Sequence, residues 1–274
     1  MSSDYRTKKK FGQHFLHERK YIDDILARAD IGSDETVLEV GPGLGALTDY
    51  LLDAAARVEV MELDRDLIDR LQARGDDRLI IHAGDALAFA WDEVLQSPPY
   101  VFVANLPYNI SSQILFKFLD NRDLIERAVL MFQKEVGARI CAQPATRDYG
   151  ILSVLCQLYF DVERVVVIPP GAFRPPPKVD SIVISFRRRQ QARFPVEDES
   201  FFRRVVKAAF NQRRKTLRNT LKSAGFNMDD IESACRATAI DPSRRGETLN
   251  LAEFAGLANE LLRLDGLSNM ETSE

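Results

Sequence analysis

The feature that most constrains the fold is a glycine-rich turn that joins a short apolar strand to a helix. The segment TVLEV at 36–40 has the β-branched, apolar composition of a buried strand. Gly41, Gly43 and Gly45 follow it, and the next segment, ALTDYLLDAAA, has helical spacing. A strand, a glycine turn and a helix in this order begin a parallel sheet that carries helices on its faces.

The same alternation continues along the chain. Further strands are predicted in VEVMEL, LIIHAG, YVFVANL and AVLMFQ, and helices in RDLIDRLQAR, around Trp91, in ISSQILFKFLD and from Lys134 to about Ala142. VERVVVIPP and SIVISFRRR are joined by a loop too short for a crossover helix, so we expect them to pair antiparallel. From about Gln190 onward every apolar pattern is helical. The sequence therefore predicts an α/β domain over residues 1–189 and a small all-helical domain over 190–274.

Several classes of protein are disfavoured by composition. No apolar run approaches the roughly 20 residues of a membrane span, and no apolar core of a signal peptide follows the polar N-terminus, so we expect a cytoplasmic protein without a membrane association. We expect neither disulfides nor a metal site, because the cysteines form no CxxC pair and the histidines no metal-binding cluster. The cysteines are Cys141, Cys156 and Cys235, and the histidines are His14, His17 and His82.

Residues that directly follow the strands indicate a nucleotide cofactor, since ligands of open parallel sheets bind at the carboxyl ends of the strands. Gly41 and Gly43 let the backbone approach a ligand closely. Glu62 ends the second strand, where a carboxylate can accept hydrogen bonds from ribose hydroxyls. Asp85 follows the third strand and can accept from an adenine amine, although capping a helix is its competing role. These features suit NAD and S-adenosylmethionine equally.

The tetrapeptide after the fourth strand decides between the two cofactors. It consists of Asn105, Leu106, Pro107 and Tyr108. The adenine N6 amine is a poor nucleophile until hydrogen-bond acceptors draw on its hydrogens, and an Asn oxygen and a carbonyl of a rigid Pro turn supply such acceptors. Tyr108 can stack on an extruded base. We therefore expect S-adenosylmethionine as the cofactor and adenine N6 as the methyl acceptor.

Two basic clusters stand out although the formal net charge is -4. The first holds eight basic residues without any Asp or Glu, and the second lies at the N-terminus. A solvated helix face and a polar tail are the usual explanation of such clusters, so the clusters by themselves prove little. The first cluster consists of Arg203, Arg204, Lys207, Arg213, Arg214, Lys215, Arg218 and Lys222, and the second of Arg6, Lys8, Lys9 and Lys10.

Several specific segments together resemble the KsgA-type ribosomal RNA adenine dimethyltransferases over nearly the whole chain. They are KKKFGQHFL, LEVGPGLGALT, MELDRDL, GDAL, NLPYNIS, RDYGILSV, FRPPPKVDS and FNQRRKTLRN. The resemblance implies a Rossmann-like class I methyltransferase fold, with a seven-stranded sheet whose last strand is antiparallel, followed by a helical domain.

The resemblance also implies residue roles. It assigns cofactor contacts to His14, Leu16, Gly41, Glu62, Asp85 and Asn105. It assigns the target base to the tetrapeptide, with Phe173 as a second stacking face. The family often has Asn where this chain has His14, so a contact made by the backbone at this position is more secure than one made by the side chain.

The implied reaction is dimethylation of two adjacent adenines in a hairpin loop near the 3′ end of 16S ribosomal RNA, within the immature 30S subunit. The basic clusters then interact with RNA phosphates and position the enzyme without reading bases. We expect a monomer.

Three alternatives remain open from the sequence. A sister group with the same tetrapeptide methylates 23S ribosomal RNA and confers antibiotic resistance, and the proline-rich loop favours the small-subunit enzymes instead. A DNA adenine methyltransferase would more typically carry Pro-Pro-Tyr and a separate recognition domain. A non-catalytic assembly factor would not need the intact Glu62, Asp85 and Asn105.

Overall fold

The computed structural model describes residues 13–271, with side chains described up to residue 265. The chain forms two compact units. The first comprises the residues up to Gly137 together with Asp161–Arg188, and the second comprises Ala138–Phe160 together with the chain from Arg189 onward.

The secondary structure follows the predicted alternation. The strands are β1 (Phe15–Leu16), β2 (Thr36–Val40), β3 (Arg57–Glu62), β4 (Leu79–Ala83), β5 (Tyr100–Asn105), β6 (Ile125–Gln133), β7 (Phe160–Ile168), β8 (Phe173–Arg174) and β9 (Ser181–Arg188). The helices are α1 (Arg19–Ala29), α2 (Thr48–Ala54), α3 (Arg65–Gln72), α4 (Trp91–Val94), α5 (Ser111–Asp120), α6 (Lys134–Ile140), α7 (Ile151–Tyr159), α8 (Glu199–Phe210), α9 (Leu217–Ser223), α10 (Met228–Ala237) and α11 (Leu251–Glu271).

Seven of the described strands form one sheet in the order β4-β3-β2-β5-β6-β9-β7. Strands β2 to β6 run parallel, and β9 pairs antiparallel with β6 from Gln133 opposite Ser181 to Arg127 opposite Arg187. The fold class predicted from the sequence, a Rossmann-like methyltransferase sheet with an antiparallel last strand, is confirmed.

The parallel register determines where the site lies. Val40 of β2 is opposite Met61 of β3, and Glu62 of β3 is opposite Ala83 of β4. Strands β2 and β5 are almost wholly buried, and Phe102 of β5 packs edge to face against Trp91 and Phe118 at 5.7 and 5.8 Å between ring centroids. A rigid, buried sheet centre therefore aligns the carboxyl ends of four neighbouring strands at one edge.

The second unit begins earlier in the chain than the predicted domain boundary. The sequence places all of residues 1–189 in one domain, whereas the structure groups Ala138–Phe160 with the C-terminal helices. Within this segment α7 packs against α8 and α11. The segment ILSVLCQLY is apolar around most of its circumference, so its periodicity does not reveal a helix or its packing partners.

Three further observations bear on the predicted class of protein. Cys141, Cys156 and Cys235 form no disulfide in the described part of the chain, and burial raises the pKa of Cys235 to about 11. Within the described part of the chain, no helix has the length and apolarity to span a membrane. Among the same residues, no group of three or more His, Cys, Asp or Glu side chains is placed to hold a metal ion.

One partly buried ion pair links the end of α1 to the sheet. Arg127 of β6 is 13% exposed and donates to both carboxylate oxygens of Glu35 and to the carbonyls of Ala29 and Asp30. The guanidinium holds the pKa of Glu35 below its ordinary value of 4.5. The ion pair therefore stabilises the fold above that pH, and this contribution is lost as the pH falls through the folded-state pKa.

Replacing Arg127 tests this interaction. We expect Arg127→Met to lower the free energy of unfolding by about 2 kcal/mol near neutral pH, because Glu35 and two carbonyls lose their donor. Below about pH 4.5, the free energy of unfolding of the variant should fall less steeply with decreasing pH than that of the wild type. Urea denaturation at several pH values measures both effects. Lys134→Met is the control, since its ion pair with Asp180 is exposed and should contribute less than about 0.5 kcal/mol. Equal losses in the two variants would contradict the assignment.

Candidate active site

A pocket in the first unit lies at the carboxyl ends of β2, β3, β4 and β5. It is lined by one segment from each strand end and by the segment that precedes α1. The lining residues fall in 13–16, 39–43, 46–47, 61–63, 84–86 and 105–110, together with Leu67. The structure therefore brings the predicted cofactor residues and the tetrapeptide to one cavity.

The glycine turn forms one wall of the pocket and has a backbone conformation that strongly favours glycine. Gly41 and Gly43 have φ of 71° and 60°, in the left-handed region. A Cβ added to Gly41 would lie 3.2 Å from the Pro107 ring, and one added to Gly43 would lie 2.7 Å from the Phe15 ring. The missing side chains allow both neighbouring segments to pack on the turn.

Glu62 ends β3 with its carboxylate inside the pocket, only 8% exposed. It accepts hydrogen bonds from the backbone N–H groups of Leu63 and Asp64 at 2.8 Å and of Gly43 at 3.3 Å. Burial raises the pKa of Glu62, and these hydrogen bonds oppose that shift. Since a carboxylate has about four acceptor positions, Glu62 orients the turn and retains capacity for about one ligand hydroxyl.

Asp85 follows β4 and makes the capping interaction, one of the two roles that the sequence left open. Its Oδ1 accepts from the Leu87 N–H at 2.9 Å, which is a local capping interaction. The side chain is exposed at the pocket edge, so its Oδ2 can also accept from a ligand amine.

The tetrapeptide packs against the glycine turn through Pro107 and is hydrogen-bonded to the N-terminal segment, residues 13–16. Asn105 Nδ2 donates to the carbonyl oxygen of His14 at 3.0 Å. The amide oxygen of Asn105 therefore points away from this hydrogen bond and is free to accept. The short antiparallel pair β1 and β8, with Leu16 opposite Phe173, fixes the N-terminal segment in this place. A two-residue strand has no periodicity, so the sequence did not predict this pairing.

The His14 side chain covers one face of Tyr108. The two rings are stacked, with centroids 5.4 Å apart and planes inclined by 29°. His14 Nδ1 lies 2.8 Å from the Pro175 carbonyl, so this nitrogen carries the proton and donates. The Tyr108 hydroxyl is hydrogen-bonded to Ser181, and burial raises the Tyr108 pKa. The Tyr108 side chain is thus neutral, and contacts at both its ring and its hydroxyl hold it in place.

Phe173 does not lie where the resemblance implied. It is 1% exposed, belongs to the core of the first unit, and does not line the pocket. Its partner Leu16 is equally buried but does line the pocket. Phe173 is thus buried beside the pocket wall, and its role as a second stacking face stays a prediction.

Sequence reasoning missed two residues of the site. Glu39 of β2 is 2% exposed, lines the pocket, and accepts from Thr48 Oγ1 at 2.7 Å. A lone carboxylate in the otherwise apolar strand TVLEV was the available signal. Ser181 begins β9 and binds the Tyr108 hydroxyl, which no sequence pattern indicated.

The charge of the lining distinguishes between cofactors. Three carboxylic acids, Glu39, Glu62 and Asp85, line the pocket, and the described lining residues include neither Lys nor Arg. A dinucleotide pyrophosphate would meet no cation here, whereas a sulfonium cofactor with a ribose and an adenine suits both the acids and the glycine turn. The residues present therefore fit S-adenosylmethionine.

Comparison with known proteins identifies the family of this chain. Residues 5–261 match the family model described as ribosomal RNA adenine dimethylase. The chain belongs to the ribosomal RNA adenine dimethylase family. It is accordingly an S-adenosylmethionine-dependent adenine methyltransferase that acts on ribosomal RNA.

Individual relatives of the dimethylase cover almost its full length. It is 58% identical over 255 residues to "Ribosomal RNA small subunit methyltransferase A" of Syntrophotalea carbinolica, covering 93% of this chain and 97% of the relative. It is 43% identical over 265 residues to the protein of the same name from Pseudomonas aeruginosa, covering 96% and 97%.

Two solved structures share the fold of the dimethylase. A dimethyladenosine transferase from Plasmodium falciparum superposes with a TM-score of 0.77 at 28% identity, covering 91% of this chain and 98% of that one. The 23S rRNA methyltransferase ErmE superposes with a TM-score of 0.68 at 27% identity, covering 90% and 99%.

The basic residues of the dimethylase's second unit differ in what they already bind. Arg213 donates to the carbonyls of Arg147 and Tyr149 at 2.6 and 2.9 Å, so it fixes a loop of its own unit. Arg203 pairs with Glu199, and Arg218 with Glu232. The Arg204 guanidinium lies 4.5 Å from the centroid of the Phe226 ring. The exposed basic residues of this cluster include Arg204, Lys207, Arg214, Lys215 and Lys222. Lys8, Lys9 and Lys10 lie outside the described residues.

Two glycine variants test the role of the turn. We expect Gly43→Ala to weaken S-adenosylmethionine binding by about tenfold or more, because the new Cβ displaces Phe15 from the pocket wall. Gly75→Ala is the matched control: Gly75 also has positive φ, 63°, but open space around the added Cβ. Each variant loses about 1–2 kcal/mol of stability through backbone strain. Calorimetric titration measures binding, and equal affinities in the two variants would refute the steric argument.

Proposed function

We propose that this dimethylase transfers methyl groups to N6 of two adjacent adenines in the 3′-terminal hairpin loop of 16S ribosomal RNA, dimethylating each. The observation that carries the proposal is the tetrapeptide, whose Asn105 shares one pocket with Glu62, Asp85 and the glycine turn. Relatives named as small-subunit methyltransferases, at up to 58% identity, support the choice of RNA.

In this site the cofactor would be held by backbone and carboxylates. Gly41 and Gly43 allow close backbone approach, Glu62 accepts from a ribose hydroxyl, and Asp85 accepts from the adenine amine. When bound, S-adenosylmethionine supplies an activated methyl group on a good leaving group. The protein then contributes alignment and exclusion of water, both of which lower the barrier without a covalent enzyme intermediate.

The tetrapeptide supplies the acceptors for the target amine. Asn105 Nδ2 is already committed to the His14 carbonyl, so Oδ1 faces the substrate as an acceptor. The Pro107 carbonyl accepts from Ile110 N–H at 3.1 Å within the turn. The preceding Leu106 carbonyl is therefore the better second acceptor. Two acceptors on the amine hydrogens localise the nitrogen lone pair, which makes N6 nucleophilic.

Tyr108 positions the base itself. His14 covers one face of its ring, and the target adenine stacks on the other. Base–aromatic stacking contributes about 1–3 kcal/mol, which offsets most of the few kcal/mol that extruding a base costs. The hydrogen bond to Ser181 prevents the ring from swinging away.

The likeness to ErmE keeps methylation of 23S RNA as the competing function. That structure superposes less well than the dimethyladenosine transferase, with TM-scores of 0.68 and 0.77. The names of the full-length relatives also favour the small subunit. A purely non-catalytic assembly role is disfavoured because the acceptor and the cofactor groups are intact.

The setting of the reaction follows from this substrate. We propose that the enzyme acts as a monomer in the cytoplasm, on ribosomal RNA within an immature 30S subunit. The exposed cations of the second unit, Arg204, Lys207, Arg214, Lys215 and Lys222, then contact phosphates, which position the enzyme without reading the sequence.

Asn105→Ala tests the chemistry. We expect methyl transfer to fall by about 100-fold or more, comparable to the loss of a transition-state hydrogen bond in other enzymes, while S-adenosylmethionine still binds. The measurement is mass mapping of methylated adenines on RNA from cells that lack the wild-type gene and carry the variant. Loss of dimethylation at two neighbouring small-subunit adenines supports the proposal. A parental rate, or loss confined to large-subunit RNA, would overturn it.

Charge reversal tests the RNA-contacting surface. We expect Arg214→Glu with Lys215→Glu to weaken binding to 30S subunits and to reduce the slope of log affinity against log salt by roughly two. Arg213 is left intact because it supports its own loop. The control is Lys20→Glu with Arg164→Glu, which gives the same change of net charge at exposed positions of the first unit. If both pairs behave alike, only net charge is involved.

A further inference from the structure

Gln133 is a polar residue near the tetrapeptide that none of the chemistry above uses. It is the last residue of β6, and its side chain is partly exposed. The helix α6 begins directly after it, at Lys134. The side-chain amide of Gln133 has no hydrogen-bond partner among the described residues, so it neither caps this helix nor ties β6 to a neighbouring strand. An unpartnered amide at the carboxyl end of a strand is available to a ligand.

The strand register places Gln133 between two residues of the site. Met131 of β6 lies opposite Asn105 of β5, and Gln133 lies opposite Ser181 of β9. Since Met131 and Gln133 are two residues apart, their side chains share one face of the sheet. This face carries Met131 into the core of the first unit. Asn105, Gln133 and Ser181 therefore lie side by side at the carboxyl end of the same face.

The dimensions of a sheet set the reach of the Gln133 side chain. Directly opposite residues, such as Gln133 and Ser181, have Cβ atoms about 5 Å apart. An offset of one strand and two residues puts Asn105 at roughly 8 Å from Gln133. The Ser181 hydroxyl is itself hydrogen-bonded to the Tyr108 hydroxyl. The Gln133 amide can therefore reach the edge of a base that stacks on Tyr108 with its amine at Asn105.

A stacked adenine loses one point of attachment between the two methyl transfers. Stacking on Tyr108 fixes the plane of the base but allows it to rotate within that plane. In the first transfer Asn105 and the Leu106 carbonyl accept from the two amine hydrogens. The methyl carbon then leaves sulfur and joins N6, and one N6 proton is released to solvent. Only one amine hydrogen remains for the second transfer, so one acceptor has lost its donor.

We propose that Gln133 is a substrate-binding residue whose side-chain amide donates to a ring nitrogen of the target adenine, either N1 or N7. Both nitrogens flank N6, and both are acceptors. This hydrogen bond does not involve the amine hydrogens, so it persists after the first methyl transfer and orients the base for the second. The inference rests on the function proposed above. It makes Gln133 a determinant of whether adenine is monomethylated or dimethylated.

Gln133→Leu removes the amide and keeps a side chain of similar size. We expect the first methyl transfer to slow by about threefold and the second by about tenfold, because the second depends on fewer other hydrogen bonds. N6-monomethyladenine should therefore accumulate. Affinity for S-adenosylmethionine should stay unchanged, since Gln133 does not line the cofactor pocket. The measurement is a time course of nucleoside mass spectrometry, with purified enzyme and 30S subunits from cells that lack it.

Gln72→Leu is the matched control. Gln72 is an exposed glutamine at the end of α3, outside the pocket lining, and its replacement should leave both rates unchanged. If Gln133→Leu keeps the parental ratio of mono- to dimethyladenine, at the parental rate or at a uniformly lower one, the proposal is wrong. Failure of the wild type to dimethylate the 30S subunit would instead refute the proposed function.

A second variant decides the matter if Gln133→Leu does not fold. Gln133→Glu keeps the shape of the side chain and its acceptor oxygen but replaces the donating NH₂ group. We expect the same accumulation of N6-monomethyladenine. Parental kinetics in Gln133→Glu would exclude donation by this residue and overturn the proposal.

Adenine analogues identify the ring nitrogen. The target position is replaced by 1-deazaadenine or by 7-deazaadenine in 30S subunits reconstituted with a synthetic 3′ RNA fragment. We expect one of the two analogues to give wild-type enzyme the product ratio of Gln133→Leu, and to have no further effect on the variant. Sensitivity to the first analogue assigns N1 and to the second N7, and either result supports the proposal. Equal sensitivity of wild type and variant, or sensitivity to neither analogue, would contradict it.

Discussion

The close approach of three chain segments at the glycine turn is the constraint on which the site depends. Pro107 packs against Gly41 and Phe15 against Gly43, so that an added Cβ would lie 3.2 Å from the Pro107 ring and 2.7 Å from the Phe15 ring. The tetrapeptide, the turn and the N-terminal segment can therefore surround one pocket. A side chain at Gly43 would require the Phe15 ring to move, and one at either glycine would strain the left-handed backbone.

His14 connects these segments by three different interactions. Its carbonyl accepts from Asn105, its ring stacks on Tyr108, and its Nδ1 donates to the Pro175 carbonyl. Both the backbone and the side chain of His14 therefore contact residues of the tetrapeptide. A contact of His14 with the cofactor stays a prediction.

The protein presents acidic groups to the cofactor pocket and basic groups on the surface of its second unit. The pocket of the first unit carries three carboxylic acids and, among its described lining residues, neither Lys nor Arg, which suits a cationic cofactor. The second unit exposes several Arg and Lys side chains, which suit an RNA backbone. The formal net charge of -4 does not reveal this division, because it sums 37 basic and 41 acidic residues over the whole chain. Within the basic cluster, Arg213 illustrates that a cation in a charge run can instead have a structural role.

The sequence alone determined the sheet, its glycine turn and the residues at the ends of its strands, because strand and helix periodicity and the position of glycine are local properties. Glu62, Asp85 and Asn105 were identified for the same reason: each directly follows or ends a strand. Only the tertiary structure revealed the burial of Phe173, the acid Glu39 facing the pocket, and the hydroxyl pair of Tyr108 and Ser181. It also assigned α7 to the helical unit. These features arise from contacts between segments far apart in the chain, and neither a two-residue strand nor an all-apolar helix carries a periodic signal that discloses its partner.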